Sequence, residues 1–184
     1  MTNPIWDNIA RGQSVDLARF QSTDFEAVHA FASNPRVCRF TTWGPNTEDD
    51  TRQFLREATD TEPTDDGYML AVLREGAVIG SAAVWTTSGE DRSGEMGYTL
   101  HPDYWGRGYG TDVATLLLQL GFNALGLERI TATCDPQNLA SVRVLEKAGL
   151  RQEGILRGHL LARGARRDSL LFARLMTDEW PVDK

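Results

Sequence analysis

The sequence predicts an α+β domain built on one mixed, mostly antiparallel sheet flanked by helices. Three observations carry that prediction. Tyr68–Leu73 and Ala77–Thr86 read as strands about a Glu75-Gly76 turn. The apolar period then changes, with Val113, Leu116, Leu117 and Leu120 at i, i+3, i+4 and i+7, the stripe of a helix. Hairpins mixed with helical crossovers require a sheet that contains both pairing senses. A length of 184 residues suits a single domain over 1–184, with 1–13 expected to be flexible and 180–184 a tail.

The elements follow in order. A β-prone stretch covers Val15 to Phe20. Thr23, with Glu26 three residues later, reads as a capping box opening a helix to about Ser33. Pro35 blocks continuation of that helix. After an aromatic-rich connection with Phe40, Trp43, Gly44 and Pro45, a second helix begins at Thr47 and runs through Phe54 and Leu55. The two middle strands come next, then a polar loop from Ser88 to Ser93 and a third strand from Glu95 to Leu100. The Val113–Leu120 helix is followed by a buried strand, Arg129–Cys134. Asn138 to Ala148 is a helix capped by Asn138 and closed by Gly149. Arg151–Leu161 and Arg167–Leu175 form a last hairpin across Arg163-Gly164-Ala165.

Composition narrows the function. Hydrophobic residues at 41% and charged residues at 24% are those of a globular protein. The start has no basic region followed by an apolar run, and no apolar stretch nears the roughly 20 residues that span a bilayer. Cys38 and Cys134 lack metal-ligand spacing, so no metal site and a cytoplasmic location are expected. A net charge of −7 argues against nucleic acid as a partner. The acidic run Asp60, Glu62, Asp65, Asp66 is either a solvated loop or a rim that attracts amines.

The chemistry concentrates in Trp105-Gly106-Arg107-Gly108-Tyr109-Gly110-Thr111, after a strand and before a helix. Glycines let the backbone curl and a ligand approach closely. The helix start offers unpaired N–H groups and a positive dipole end, which suit phosphate. A dinucleotide fingerprint fails because Thr111 stands where its third glycine is needed, and a P-loop fails for want of a lysine.

The run from Glu95 to Thr111, with its Gly97-Tyr98 and Gly108-Tyr109-Gly110, resembles the acetyl-CoA signature of the GNAT superfamily. More narrowly it resembles the branch that holds ribosomal-protein N-terminal acetyltransferases (RimJ/RimL-like), and Asn138 to Leu150 matches the same branch. The resemblance implies a GNAT-like fold, acetyl-CoA as cosubstrate, and a primary amine as acceptor. Arg107, Gly108, Tyr109, Gly110 and Thr111 then surround the pyrophosphate. Trp105 stands where the family has Gln or Arg. Arg107 either adds charge there or is a surface arginine. Asn138 contacts the pantetheine arm, caps its helix, or does both.

Acyl transfer to an amine needs a neutral amine, a stabilised oxyanion and a leaving thiolate. By resemblance the oxyanion donor is the Tyr98 N–H, in Met96-Gly97-Tyr98, where Gly97 signals a bulge. Glu95 is the candidate base, directly or through water, and is otherwise a strand-edge carboxylate. The family's usual tyrosine acid is Leu145 here, which leaves Ser141 as the available hydroxyl. Cys134, His29, His101 and His159 read as structural. A protein N-terminus, a polyamine and an antibiotic amine all fit as acceptors, and a non-catalytic acyl-CoA sensor is the rival from another class. The chain is expected to be a monomer or homodimer; Arg163, Arg166 and Arg167 either line a partner surface or are solvated.

Overall fold

In the computed structural model, which describes residues 8–60 and 66–181, the alternating apolar segments assemble into an eight-stranded sheet. The strands are β1 (Asn8–Arg11), β2 (Asp16–Ala18), β3 (Gly67–Arg74), β4 (Ala77–Ser88), β5 (Ser93–Leu100), β6 (Arg129–Cys134), β7 (Arg151–Ala162) and β8 (Ala165–Leu175). Their order across the sheet is β1-β2-β3-β4-β5-β6-β8-β7, antiparallel everywhere except between β5 and β6. The helices are α1 (Phe25–Ala32), α2 (Pro35–Cys38), α3 (Glu48–Asp60), α4 (Tyr109–Asn123) and α5 (Leu139–Lys147). The predicted α+β class with a mixed, mostly antiparallel sheet is the one found.

Helices cover both faces. Val28 and Phe31 of α1, Val37 of α2 and Leu55 of α3 pack on one face with Ala71 and Leu73 of β3. Val113, Leu116 and Leu117 of α4 and Leu145 of α5 pack on the other with Leu70 and Val72. Leu70 to Leu73 are therefore buried without interruption, although the strand's side chains alternate between two separate cores.

Three local expectations are corrected and one is extended. Asn8–Arg11, inside the stretch expected to be flexible, is strand β1 and pairs antiparallel with β2. Residues 1–7 lie outside the described residues. The first helix is entered one turn early: a 3₁₀ turn spans Ser22–Asp24, and the Gln21 N–H donates to the Asp24 carboxylate at 2.8 Å, so Thr23 and Glu26 are not the capping pair. Pro35 does not only stop a helix; it opens α2, with the Asn34 side chain accepting from the Arg36 N–H at 3.0 Å. At the other end, Arg174 is 1% exposed and donates to the Gly149, Asp178 and Glu179 carbonyls. The Trp180 ring stacks on its guanidinium at 4.3 Å, so the expected tail is anchored at its first residue. Residues 182–184 lie outside the described residues, as do Glu62 and Asp65 of the acidic run.

Candidate active site

The site begins where two strands part. β5 and β6 pair in parallel only at Ser93↔Arg129, Gly94↔Ile130 and Glu95↔Thr131. Beyond Glu95 they diverge and open a cleft through the sheet. The β4–β5 register decides what faces it. The His101 N–H donates to the Ile79 carbonyl at 2.8 Å, and the pairing continues regularly through Tyr98↔Ala82 and Gly97↔Ala83. Antiparallel strands alternate the direction of their polar groups. Odd-numbered residues of β5 thus bond to β4, while Met96 and Tyr98 turn theirs toward the opening. Gly97 is paired without a bulge, contrary to expectation; the irregularity in this ladder lies between Thr86 and Ser88. A Cβ on Gly97 would meet nothing within 4 Å, so glycine there leaves the cleft floor open.

A cavity of about 1350 Å³ runs through this opening and is lined from both faces of the sheet. On the α4–α5 face lie Gly106, Gly108, Gly110 and Thr111, with Asn138 and Ser141 opposite. Gly108 caps α4 with φ of 87°, a left-handed conformation that favours glycine, and a Cβ there would touch nothing. Gly110 has another role. Its added Cβ would lie 3.1 Å from Val144 Cγ2 and 3.5 Å from Tyr98 Cε2, so this glycine lets α4 approach α5 and Tyr98 while its backbone lines the cavity. Arg107 and Tyr109 stand at the rim, outside the cavity lining. The Tyr109 hydroxyl accepts from Arg74 Nε at 3.2 Å, and that bond holds its pKa below the ordinary phenol value. Trp105, the departure from the family pattern, braces the loop: its Nε1 donates to the Leu100 carbonyl at 2.8 Å, and the Arg36 guanidinium lies over its ring.

Asn138 caps α5 by accepting from the Ser141 N–H at 3.2 Å. That fixes the first turn so that the Ser141 hydroxyl faces the Tyr98 phenol, outside hydrogen-bonding geometry. Burial pushes the Tyr98 pKa up to about 12. Cys134, at the end of β6, closes the same corner; burial and then Asp135 push its thiol up to about 11, so it is protonated and a poor nucleophile near neutrality. Leu145 is buried in the core.

Glu95 lies on the opposite face, beside rather than in the cavity lining. Burial raises its pKa, while His159 and the Thr133 hydroxyl pull it down. Thr133 does line the cavity. His159 is held by Ser169, with 3.0 Å from Nδ1 to Oγ, and His29 by Thr51, with 2.9 Å. His101 accepts from the Asp103 N–H. The wall on this face is the aromatic connection after α1, where Phe40 and Trp43 join Phe31, Phe54 and Met69. Arg163 donates to the Cys38, Thr41 and Gly44 carbonyls, and Arg167 to that of Arg39. Two of the hairpin arginines therefore pin the wall of the site. Sequence reasoning missed them because their partners are backbone carbonyls about 120 residues distant.

The donor set fits acetyl-CoA. A left-handed glycine opens a helix beside the cavity, a strand N–H is turned into a gap, and a phenol nearby is buried without a hydrogen-bond partner among the described residues. Comparison with known proteins agrees. Residues 15–151 match the acetyltransferase (GNAT) domain. The N-acetyltransferase YnaD of Bacillus subtilis is 28% identical over 164 residues, 89% of this chain and 94% of that protein. A GNAT-family acetyltransferase from Bacillus anthracis superposes with a TM-score of 0.81 at 30% identity, covering 90% of this chain and 97% of that one. RimJ of Mycobacterium smegmatis, solved with CoA-disulfide, superposes with a TM-score of 0.76 at 26% identity over 88% and 82%. A sheet split after Glu95, a glycine-capped helix beside the split and these matches have one common account: the chain belongs to the GNAT family of acetyl-CoA-dependent N-acetyltransferases.

Proposed function

We propose that this N-acetyltransferase acts on the α-amino group of a protein or peptide, by direct attack of the amine on the thioester. The observation that carries the reading is the makeup of the cavity on the α1–α3 face. Its walls are largely aromatic and aliphatic, and the exposed Arg36 and Arg39 also line it. Among the described lining residues the one carboxylate is Asp135, which faces Arg167 at 3.7 Å. A polyamine needs carboxylates for its remote cations, whereas a peptide brings one amine on a largely neutral body. Amine acidity points the same way. An α-amino group titrates near 7.7–8.0 and a lysine near 10.4, so the neutral fraction at pH 7 differs by roughly 300-fold.

Acetyl-CoA supplies the activated acyl group. In our assignment the loop from Gly106 to Thr111 holds the pyrophosphate, with Arg107 and Tyr109 at its edge, and Asn138 stands beside the pantetheine arm. The Tyr98 N–H stabilises negative charge on the carbonyl oxygen. Glu95 receives the amine's proton through a water at Thr133, its raised pKa bringing it nearer neutrality, where a base is most useful. The Ser141 hydroxyl relays a proton toward the departing sulfur. Peptides that differ only in a free or blocked N-terminus, assayed beside spermidine for CoA release, test the acceptor. Turnover of the free peptide alone is expected; equal turnover of the blocked peptide, or spermidine as the better substrate, overturns the assignment.

A further inference from the structure

One polar group of the cavity has no role so far. The Tyr98 hydroxyl is shut off from solvent and meets no hydrogen-bond partner among the described residues. Buried hydroxyls are almost always satisfied, because an unmade bond in a dry interior is costly. The position of the group suggests what satisfies it. Tyr98 stands just past the point where β5 leaves β6. Its ring packs at Gly110 in the first turn of α4, and its oxygen faces Ser141, with Cys134 alongside. The residue's own N–H is turned toward the same gap. Backbone N–H and side chain of one residue therefore both border the cavity.

We propose that the Tyr98 side chain donates its hydrogen bond to the thioester sulfur of the coenzyme as that sulfur departs. The inference rests on the acetyltransferase reading and on the coenzyme occupying this cleft. In the step, the amine nitrogen bonds to the carbonyl carbon, the carbon–sulfur bond breaks, and the electron pair leaves on sulfur. The amine's proton goes to Glu95, and the thiolate later takes its own proton from solvent by way of Ser141. Tyr98 keeps its proton throughout. Burial holds the phenol near 12, well above a thiol at about 8.5, so it stabilises the thiolate as a donor and does not neutralise it. With Leu145 on α5 unable to donate, the strand supplies the phenol instead.

A tyrosine that only packs makes different predictions, and Tyr98→Phe separates the two. The thiol of bound CoA is titrated by its thiolate absorbance in both proteins, with desulfo-CoA as the blank. In the wild type the bound thiol is expected to ionise below the value for free CoA. In Tyr98→Phe it is expected to move up by roughly one to two pH units, with kcat lower by about tenfold to a hundredfold. Acetyl-CoA affinity is expected to stay within about threefold, and the unliganded variant to melt no lower than the wild type, since the lost hydroxyl satisfied nothing. Identical thiol titration in the two proteins overturns the proposal. So does a wild-type thiol that ionises at or above the free value, a result that needs no variant. Failure of the wild type to bind CoA sinks the coenzyme site and this proposal together. A shifted thiol with no turnover of any peptide sinks only the acceptor assignment.

Discussion

Asp112 carries the most demanding structural prediction. It sits in the first turn of α4, yet its carboxylate reaches back to the turn between β1 and β2. Oδ2 accepts from the Ser14 N–H at 2.7 Å, the Ser14 hydroxyl at 2.9 Å and the Val15 N–H at 3.1 Å, and Oδ1 from the Gln13 N–H at 3.3 Å. The bond to Gln13 is exposed and water replaces it readily, and the Ser14 hydroxyl can rotate to another partner. The two partly buried N–H groups cannot. Hydrogen bonds to a charged group contribute about 1.5–3 kcal/mol each, and stranding a buried donor costs about 1–3 kcal/mol. Their effects overlap, so Asp112→Ala is expected to lose about 3 kcal/mol. At 2–4 °C per kcal/mol for a chain of this size, the melting temperature falls by roughly 6–12 °C. Asp112→Asn keeps one acceptor oxygen and is expected to lose about half as much. Urea unfolding and thermal melts of the three proteins measure this. An Asp112→Ala protein within about 1 °C of the wild type refutes the reasoning, because the β1–β2 turn would then be held by something else.

The remaining predictions concern the site. Gly108→Ala forces a side chain into a left-handed cap at about 1–2 kcal/mol and is expected to weaken CoA binding about tenfold by calorimetry, whereas Gly110→Ala should act mainly on stability through Val144; unchanged CoA affinity in Gly108→Ala removes the loop from the coenzyme site. Glu95→Gln is expected to lower kcat by about 10²–10⁴-fold, most severely at the acid end, with partial recovery as rising pH deprotonates the amine. The same variant has a stability signature. Burial raises the Glu95 pKa in the folded state, so its contribution is fully present below the unfolded pKa of about 4.3 and is lost as pH rises through the folded value. Glu95→Gln should therefore melt higher than the wild type near neutrality, with the gain vanishing in acid; a lower melting temperature at pH 7 contradicts the burial argument. Ser141→Ala should reduce kcat while CoA affinity and folding persist, and an undiminished kcat under conditions where chemistry limits turnover takes the hydroxyl out of the relay.

Much of the fold was legible because it is local. Glu75 and Gly76 take φ of 52° and 79°, the paired left-handed turn that a two-residue hairpin connection requires. The apolar stripe of α4 and the Asn138 cap on α5 likewise need only neighbours a few residues away. Where short-range signals compete, the sequence misled. Gln21, Thr23, Asp24 and Glu26 offer two overlapping capping patterns, and the packing of α1 selects the earlier one. Asn8–Arg11 has no strand signature of its own and pairs because β2 presents an edge and Asp112 holds the intervening turn.

The candidate site divides along the same line. Sequence alone determined the chemistry on offer: a glycine-rich loop before a helix, an asparagine cap, a glutamate and a tyrosine immediately flanking Met96-Gly97, and a leucine where an acid is usual. Each is a matter of residue type and spacing within one segment. Tertiary structure decided which of these groups meet. That β5 and β6, whose paired residues lie 36 apart in the chain, stay paired only as far as Glu95 is a long-range outcome that no local pattern records. The same geometry sent Glu95 and Tyr98 to opposite faces of the sheet, turned Gly110 toward α5, and drew Arg163 onto carbonyls more than 100 residues away. The physical reason is that side-chain identity sets what a group can donate or accept, while its partner across the sheet is set by packing that the whole chain must satisfy at once.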